Sequence, residues 1–367
     1  MFVARAIDGI AGGVERMVTT VMNALCTRGH CVDLMTWDRK GATSFYPLAP
    51  EVSWHKLDLG DPFVTASYAV KFKRAGAIRN LLRRRKPEAI VCFQDGPFVA
   101  IRGYTIGLGI PVFAAERNAP TRFDHASAAI GPRVTYNVMR LAERVLIQCE
   151  SYRALYPTFL QDRIVTIPNP VFPTEHRGRP DLPNAAGRFR ILSIGRLSYQ
   201  KNPAVLIEAF STITTRFPKW DLVFVGEGER RSELEKLVSD KGLAGRVSMP
   251  GTIHSVSDWY AASHLFCLPS LWEGFPNAMA EAMAHGLPCV GFAECAGVRD
   301  LIVNGENGLL AQGNDDPRAL SEALETMMAN AEKRRQLGEK AVESVSPYSP
   351  DEIFSLWEQT LKEGARS

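Results

Sequence analysis

Residues 268–291 read LPSLWEGFPNAMAEAMAHGLPCVG, and they hold the clearest secondary-structure pattern of the chain. A short apolar run at 265–268 leads into a Gly-Phe-Pro turn, the segment 278–285 has helical composition, and a second apolar run follows at 289–292. Strand, helix and strand in this order form a βαβ unit whose two strands lie parallel in one sheet. The stretch therefore predicts an α/β fold in which helices cover a parallel sheet.

The same alternation continues in both directions from this unit. Further strands are predicted at 1–6, 31–36, 89–93, 111–115, 144–148, 164–167, 190–193, 222–225 and 247–249. Helices are predicted at 14–28, 204–217 and 349–363. The alternation is interrupted around 168–188, which holds five prolines and two glycines. We therefore expect a doubly wound domain at 1–168, a linker at 169–188, a second doubly wound domain at 189–346 and a final helical segment at 347–367.

Composition excludes several classes of protein. The chain has 367 residues, 46% hydrophobic and 23% charged, which is globular rather than disordered or fibrous. No run reaches the ~20 apolar residues of a membrane-spanning helix, and the start lacks the pattern of a secretory signal. The seven cysteines are odd in number and form no CxxC pair, so reduced thiols in a cytoplasmic protein are expected rather than disulfides or a zinc site.

Charge is unevenly divided along the chain. Residues 1–180 hold 24 Lys/Arg and 15 Asp/Glu, a net of +9, whereas residues 181–367 hold 19 and 25, a net of −6. A basic first half suggests an anionic partner such as a membrane surface, a phosphate-bearing acceptor or nucleic acid, and chance dispersion of surface charge is the alternative. Nucleic acid is disfavoured because no basic stripe interleaved with aromatic residues is present.

Two carboxylates in the quoted stretch are candidate binding groups. Glu273 and Glu281 lie eight residues apart on either side of the Gly-Phe-Pro turn and the start of a predicted helix. Backbone amides at a helix start favour an anion, and the Glu281 carboxylate could accept hydrogen bonds from a vicinal diol such as ribose. Surface charge is the alternative for both residues.

Two cations and a glycine turn complete the set of candidates. Arg196 follows a predicted strand and Lys201 directly precedes a predicted helix, a placement that suits a diphosphate. Near the start, Gly12 and Gly13 lie between the first strand and the first helix, where backbone can approach a ligand. Their spacing is not GxGxxG, and a tight strand–helix connection needs glycine anyway.

Together these motifs resemble the retaining glycosyltransferase family 4, of the bacterial polysaccharide and lipid-linked glycan type. The resemblance rests on the glutamate pair and on four further motifs: GGVER at 12–16, PNPV at 168–171, GRLSYQKNP at 195–203 and VGEGERRSELE at 225–235. It covers essentially the whole chain. It implies the GT-B fold, with two Rossmann-like domains facing a central cleft and a last helix crossing back onto the first domain. In that fold the N-terminal domain holds the acceptor and the C-terminal domain holds the nucleotide-sugar donor.

The resemblance also implies roles for the matched residues. Arg196 and Lys201 hold the donor diphosphate, Glu281 holds the ribose hydroxyls, and Glu273 holds hydroxyls of the transferred sugar. Six further positions are implied to lie beside the donor: Gly226, Glu227, Gly274, Phe275, Pro276 and Asn277. Gly12 and Gly13 are implied to bind the donor as well, approaching its diphosphate, or the acceptor, from the other side. Many relatives carry a histidine just after the strand at 111–115. Here Arg117 is the candidate for that contact with the sugar, and His125 is its alternative.

The expected reaction is transfer of a sugar with retention of its anomeric configuration, and UDP is the expected nucleotide from its frequency in the family. No DxD motif precedes a sugar-nucleotide pocket, and Asn314-Asp315-Asp316 reads as a turn into a helix. No metal or cofactor is therefore expected, since cations and a helix start would neutralise the leaving group. Front-face attack is preferred, and a glycosyl-enzyme intermediate on Glu273 is the alternative. A sugar-nucleotide epimerase and a non-catalytic sugar-nucleotide binder remain as rival functions.

A basic segment predicts contact with a membrane. Residues 71–86, KFKRAGAIRNLLRRRK, hold eight Lys/Arg and no acid. As a helix this segment has one apolar face and one basic face, so we expect it to lie on the anionic inner face of the cell membrane. The predicted membrane residues are Phe72, Lys73, Arg79, Arg83, Arg84 and Arg85. The expected acceptor is a glycan or a polyprenyl-diphosphate-linked glycan, and the alternative for the segment is a docked helix with a solvated basic face.

Overall fold

The computed structural model describes residues 1–125, 131–253 and 255–366. The chain divides into two compact units, which we call unit 1 and unit 2. Unit 1 comprises Met1–Asn169 together with Asp351–Ser367, and unit 2 comprises Pro170–Pro350. Each unit is built around one sheet of buried strands with helices packed against it.

Unit 1 contains a seven-stranded parallel sheet in the order β3-β2-β1-β4-β5-β6-β7. Its strands are β1 (Phe2–Val3), β2 (Asp33–Thr36), β3 (Ser53–Lys56), β4 (Ile90–Phe93), β5 (Val112–Ala115), β6 (Val145–Ile147) and β7 (Ile164–Thr166). Its helices are α1 (Gly13–Thr27), α2 (Tyr68–Arg85), α3 (Asp95–Thr105), α4 (Arg122–His125), α5 (Pro132–Met139) and α6 (Thr158–Gln161). The chain reverses its direction of winding between β1 and β4, which are neighbours in the sheet.

Unit 2 contains a six-stranded parallel sheet in the order β10-β9-β8-β11-β12-β13. Its strands are β8 (Phe189–Ile194), β9 (Trp220–Val225), β10 (Val247–Gly251), β11 (Leu265–Leu268), β12 (Cys289–Phe292) and β13 (Gly308–Ala311). Its helices are α7 (Pro203–Ile213), α8 (Arg231–Asp240), α9 (Ser257–Ala261), α10 (Asn277–Ala284), α11 (Ala296–Leu301), α12 (Pro317–Ala329) and α13 (Ala331–Ser344). Here the winding reverses between β8 and β11.

The last helix, α14 (Pro350–Arg366), packs on unit 1 although it follows unit 2 in the chain. The Trp357 ring is fully buried and stacks on Phe93 at the end of β4, with ring centroids 5.9 Å apart. Gly364 lies so close to the Phe113 ring that an added Cβ atom would come within 2.4 Å of it. On the outer side, Glu358 pairs with Arg28 at 3.2 Å. Stacking, close packing and an ion pair thus hold α14 to the first sheet.

The proline-rich segment after β7 contains no helix or strand between residues 168 and 188. It is nevertheless bound to unit 2 rather than free in solvent. The Gly178 amide donates to the His285 carbonyl at 2.8 Å, and the buried Arg334 guanidinium donates to the Pro180 carbonyl at 2.6 Å. The segment predicted as a linker is therefore bound to the end of α10 and to α13.

The predicted fold class, two doubly wound parallel sheets with helices on their faces, is confirmed. Two edge strands, β3 and β13, were not predicted, because their short runs carry only weak alternation. The first strand is shorter than the predicted 1–6. Backbone hydrogen bonds to the β2 side continue through Ala4 and Arg5, since the Ala4 amide donates to the Met35 carbonyl at 3.2 Å and the Trp37 amide donates to the Arg5 carbonyl at 3.0 Å. Beyond them the Ile7 amide donates to the Asp38 side chain at 2.9 Å instead of to a strand.

Helix α2 forms where the basic segment predicts a helix. Its apolar face, which includes Ile78, Leu81 and Leu82, is buried within unit 1 and is not available to lipid. Two of the predicted membrane cations are also engaged internally. Arg79 donates to the Tyr104 and Ile106 carbonyls, and Arg85 pairs with Asp33 at 2.9 Å. Arg79 and Arg85 thus have partners within unit 1, whereas Phe72, Lys73, Arg83 and Arg84 are exposed. Among the described residues, no helix has the length and apolar character needed to cross a bilayer.

Candidate active site

The candidate residues of unit 2 gather where the winding of the sheet reverses. In open parallel sheets the loops that follow the two strands at such a reversal diverge and leave a crevice at their carboxyl ends. The loop after β8 carries Arg196 and Lys201, and the loop after β11 carries Glu273. These loops are bound to each other, because the Leu271 amide donates to the Gln200 carbonyl at 2.9 Å.

Lys201 and Glu273 form an ion pair in this crevice. The Lys201 Nζ atom lies 2.5 Å from Glu273 Oε1, and the Ser270 hydroxyl donates to the same oxygen at 2.6 Å. Only 6% of the Glu273 side chain is exposed, against 25% for Lys201. The carboxylate is thus fixed by two donors, and the ammonium group stands at the more accessible end of the pair.

Arg196 differs from Lys201 in being exposed and unpaired. Its side chain makes no hydrogen bond or ion pair within the part of the chain that the structure describes. Since a guanidinium presents several donors in one plane, Arg196 offers a free anion-binding group beside the Lys201–Glu273 pair.

The loop after β9 lies directly against the loop after β8. An added Cβ at Gly226 would come within 2.1 Å of the Gly195 carbonyl oxygen, and at Gly228 within 2.3 Å of the Leu197 carbonyl oxygen. Only glycine permits this backbone contact, which brings Gly226 and Glu227 to the strand ends near Arg196. The Glu227 carboxylate is itself paired with Arg231 at 2.5 Å.

Glu281 lies on α10, the helix that follows the Glu273 loop. The Tyr260 hydroxyl contacts Glu281 Oε2 at 3.2 Å and the Ala278 carbonyl at 3.0 Å. The Tyr260 ring is fully buried, so it braces the Glu281 carboxylate from inside the unit. Helix α10 starts at Asn277 without a side-chain cap, and the Phe275 ring in the preceding turn packs edge-on against Tyr348. Gly274, Phe275, Pro276 and Asn277 thus form the turn that joins the two glutamates.

The two aspartates in the loop between β13 and α12 have structural partners. Asp315 accepts a hydrogen bond from Asn202 at 2.7 Å, and Asp316 caps α12 by accepting from the Arg318 amide at 2.8 Å. No cluster of His, Cys, Asp and Glu suited to a metal ion is found among residues 1–125, 131–253 and 255–366.

Unit 1 has its own loops at a winding reversal, after β1 and β4. Gly12 is the N-cap residue of α1 and Gly13 is its first residue, and both are at least partly exposed to solvent. The Glu15 side chain folds back over Gly12, since an added Cβ there would meet the Glu15 carboxylate. A carboxylate at this position complements the positive end of the helix and opposes a second anion.

Arg117 follows β5 but does not point to an accessible surface. Its guanidinium lies over the rings of Trp357 and Phe93, 5.1 and 5.6 Å from their centroids, and donates to the Ile167 carbonyl at 3.2 Å. Burial lowers the pKa of Arg117 to about 10. The expected contact of Arg117 with a sugar does not fit this position, because α14 covers the side chain. His125, the alternative, is exposed at the end of α4.

Three charged residues that sequence reasoning did not single out lie at the same edge of unit 1. Arg122 bridges Asp95 at 2.9 Å and Glu116 at 3.1 Å. Burial raises the pKa of Glu116, although the Arg122 charge opposes this shift. The sequence feature that could have identified Asp95 and Glu116 is their position, because both come just after buried strands. Ser270 and Tyr260 were missed as well, and nothing in their local sequence distinguishes them.

Sequence comparisons agree with this geometry. Residues 11–175 match the family described as Glycosyltransferase Family 4, and residues 176–344 match the family described as Glycosyl transferases group 1. The lipopolysaccharide core biosynthesis glycosyltransferase LpsE of Rhizobium meliloti is 31% identical over 96% of this chain and 96% of its own. A Campylobacter jejuni protein described as GalNAc-alpha-(1->4)-GalNAc-alpha-(1->3)-diNAcBac-PP-undecaprenol alpha-1,4-N-acetyl-D-galactosaminyltransferase is 26% identical over 96% of both chains.

Among solved structures, Anabaena HepE in complex with UDP and glucose has a TM-score of 0.77 at 18% identity, covering 99% of this chain and 98% of that one. The two parallel sheets thus have the GT-B fold. The chain belongs to the glycosyltransferases that join a family 4 N-terminal domain to a group 1 C-terminal domain.

Proposed function

We propose that this enzyme transfers a sugar from a UDP-sugar, with retention of configuration and without a metal or other cofactor, to a glycan or polyprenyl-diphosphate-linked acceptor. The observation that carries the proposal is the arrangement at the winding reversal of unit 2, where exposed Arg196 follows β8 and the Lys201–Glu273 pair joins the loops after β8 and β11. Two cations at the ends of parallel strands suit a diphosphate, and a braced carboxylate on the next helix suits ribose hydroxyls.

The proposed donor site uses each group for one part of the donor. Arg196 and Lys201 bind the diphosphate and stabilise the charge that develops on it as the glycosidic bond breaks. Glu281, braced by Tyr260, accepts hydrogen bonds from ribose. Glu273 accepts hydrogen bonds from hydroxyls of the transferred sugar. UDP is supported by family frequency and by the UDP and glucose named for the HepE structure.

The contacts of Glu273 favour front-face attack over a glycosyl-enzyme intermediate. A carboxylate that pairs with an ammonium group and accepts a hydroxyl proton is a weaker nucleophile than a free carboxylate, and Glu273 is bound in this way by Lys201 and Ser270. In the preferred route the acceptor hydroxyl attacks the anomeric carbon on the face that the diphosphate leaves. The departing phosphate oxygen takes the proton of that hydroxyl. The cations of the enzyme therefore stabilise the charge of the leaving diphosphate and hold the donor in position, and they transfer no proton.

The acceptor is assigned to unit 1. The first half of the chain is basic, with 24 Lys/Arg against 15 Asp/Glu in residues 1–180. A lipid diphosphate would be attracted to such a surface. The Campylobacter jejuni relative is named for an undecaprenol-linked substrate, and LpsE is named for lipopolysaccharide core biosynthesis. We accordingly propose peripheral association with the anionic inner face of the membrane, using the free cations Lys73, Arg83 and Arg84 of α2.

Turnover assays with purified enzyme test this function. UDP-sugars are incubated with and without short polyprenyl-diphosphate glycans, in excess EDTA, and products are separated. Free UDP with a new glycoside of unchanged anomeric configuration supports the proposal. An interconverted UDP-sugar formed without acceptor would identify an epimerase instead. A requirement for Mg²⁺ or Mn²⁺ after chelation would refute the metal-independent route.

A further inference from the structure

Four large apolar side chains stand exposed within ten residues of unit 1. Phe63, Val64, Tyr68 and Phe72 are 65%, 64%, 88% and 83% exposed. They occupy the loop that enters α2 and the first turns of that helix. Single exposed apolar side chains are ordinary, but four of them within ten residues, with charged neighbours, point to a contact surface.

The backbone presents these side chains in a fixed arrangement. Arg74, on α2, donates to the Leu59 carbonyl at 2.8 Å and to the Gly60 carbonyl at 3.3 Å, which ties the loop to the helix. The Phe63 amide donates to Asp61 at 2.7 Å. The start of the loop that carries Phe63 and Val64 is thus tied to α2 by hydrogen bonds.

Tyr68 and Phe72 project from one side of α2, because residues four apart lie on the same face of a helix. Arg83 lies on that face as well, since about three turns separate it from Phe72. Lys71 is held over the Tyr68 ring at 5.3 Å, and Lys73 is exposed beside Phe72. The apolar group is therefore bordered by cations, with Asp61 as the nearby acid.

We propose that Phe63, Val64, Tyr68 and Phe72 form an apolar wedge that inserts below the phosphates of an anionic bilayer while Lys71, Lys73 and Arg83 bind those phosphates. Aromatic side chains at the boundary of the acyl region and cations at the phosphate level are the arrangement that such a surface favours. The inference rests on the membrane association proposed above and adds to it a hydrophobic component that salt does not remove.

A second copy of the chain is the competing occupant, and the charges argue against it. A symmetric dimer through this surface would bring two copies of the same cation cluster, Lys71, Lys73 and Arg83, into one interface. Like charges at such short range repel, whereas an anionic bilayer neutralises them. The bilayer is therefore the occupant that the charges favour.

The test is vesicle binding by the full chain. Wild type, the wedge variant F63S/F72S and the matched control F172S are sedimented with vesicles of phosphatidylglycerol and phosphatidylcholine at low salt and at about 0.5 M salt. Phe172 is 58% exposed on unit 2, so F172S removes a similar side chain elsewhere. We expect the wedge variant to lose about tenfold in affinity, including the part that survives high salt, while F172S matches wild type. Equal binding by wild type and wedge variant at high salt would overturn the wedge.

A depth measurement gives a second readout. The variant F72W adds one tryptophan to the wedge. Its extra tryptophan fluorescence, relative to wild type, should be quenched by vesicle lipids that are brominated near the top of the acyl chain. Absence of this quenching on bound protein would overturn insertion, as would concentration-dependent dimerisation that F63S/F72S abolishes. UDP binding, measured in parallel, separates the two proposals. Wild type that binds vesicles but no UDP would refute the donor site alone, and intact UDP binding without insertion would refute the wedge alone.

Discussion

The Lys201 ammonium group lies 2.5 Å from the Glu273 carboxylate, and the two residues come from loops 72 positions apart in the chain. Both belong to the proposed donor site, yet each neutralises the other in the structure. A diphosphate that binds Lys201 must therefore compete with Glu273. This competition gives the pair a testable consequence for nucleotide affinity.

Glu273→Gln should raise the affinity for free UDP about three- to tenfold while lowering turnover, because Lys201 loses its competing anion and the sugar loses its carboxylate. Calorimetric titration of UDP and a transfer assay measure the two effects. Ser270→Ala is the matched control, since it removes a neutral donor from the same oxygen and leaves the ion pair. Weaker UDP binding by Glu273→Gln would show that Glu273 supports the diphosphate site rather than opposing it.

Tyr260→Phe should weaken UDP binding several-fold, by about 1 kcal/mol for one lost hydrogen bond to Glu281. If the hydroxyl acts through Glu281 on ribose, the same substitution should hardly change the affinity for 2′,3′-dideoxy-UDP. Both nucleotides are titrated into wild type and into Tyr260→Phe, and the four affinities form a thermodynamic cycle. An equal loss with the dideoxy nucleotide would mean that Tyr260 acts on unit 2 in general.

His264 predicts a pH dependence of stability in unit 2. Its ring is buried and its Nδ1 atom accepts a hydrogen bond from the Arg190 amide at 2.8 Å. Burial lowers the pKa of His264 to about 4. The unfolded chain binds a proton below about pH 6.5, which the folded chain does not. Stability should therefore fall by about 2–4 kcal/mol between pH 6.5 and 4 through this group.

The variant His264→Asn checks this contribution, because its amide oxygen can replace the ring acceptor and does not titrate. Urea denaturation across this pH range gives the unfolding free energy of both proteins. As the pH falls, wild type should lose more unfolding free energy than His264→Asn. A difference independent of pH would assign the acid sensitivity to other groups.

Gly364→Ala should destabilise unit 1 by about 1–3 kcal/mol, because the added methyl group would overlap the buried Phe113 ring. Gly76→Ala is the matched control in another helix of the same unit. An added Cβ at Gly76 meets no atom within 4 Å, so that substitution should stabilise by up to about 1 kcal/mol. Thermal unfolding compares the two variants, and an unchanged midpoint for Gly364→Ala would contradict the close packing of α14.

Much of the fold could be predicted from sequence because its signals are local. Apolar strand runs, the glycine after α1 and the Gly-Phe-Pro turn each act over a few residues. Arg196, Lys201 and Glu273 could be placed at strand ends on the same basis. That Lys201 pairs with Glu273 could not, because pairing depends on which strands adjoin at the winding reversal.

Arg117 shows the limit of local signals. Its position after β5 is the expected one, but Trp357 from the far end of the chain covers it and turns its side chain into a structural contact. The helix of the basic segment shows the same limit. Its charges are visible in the sequence, whereas the carbonyls that bind Arg79 become neighbours only after folding.

The most direct test of the account is calorimetric titration of UDP, in excess EDTA, into wild type, Arg196→Ala, Lys201→Ala and the surface control Lys73→Ser. Wild type and Lys73→Ser should bind UDP with equal affinity. Arg196→Ala and Lys201→Ala should each lose about tenfold or more, because each removes a charge-assisted contact to the diphosphate. Failure of wild type to bind UDP without metal, or unchanged affinity in both variants, would contradict the assignment of the unit 2 crevice as the donor site.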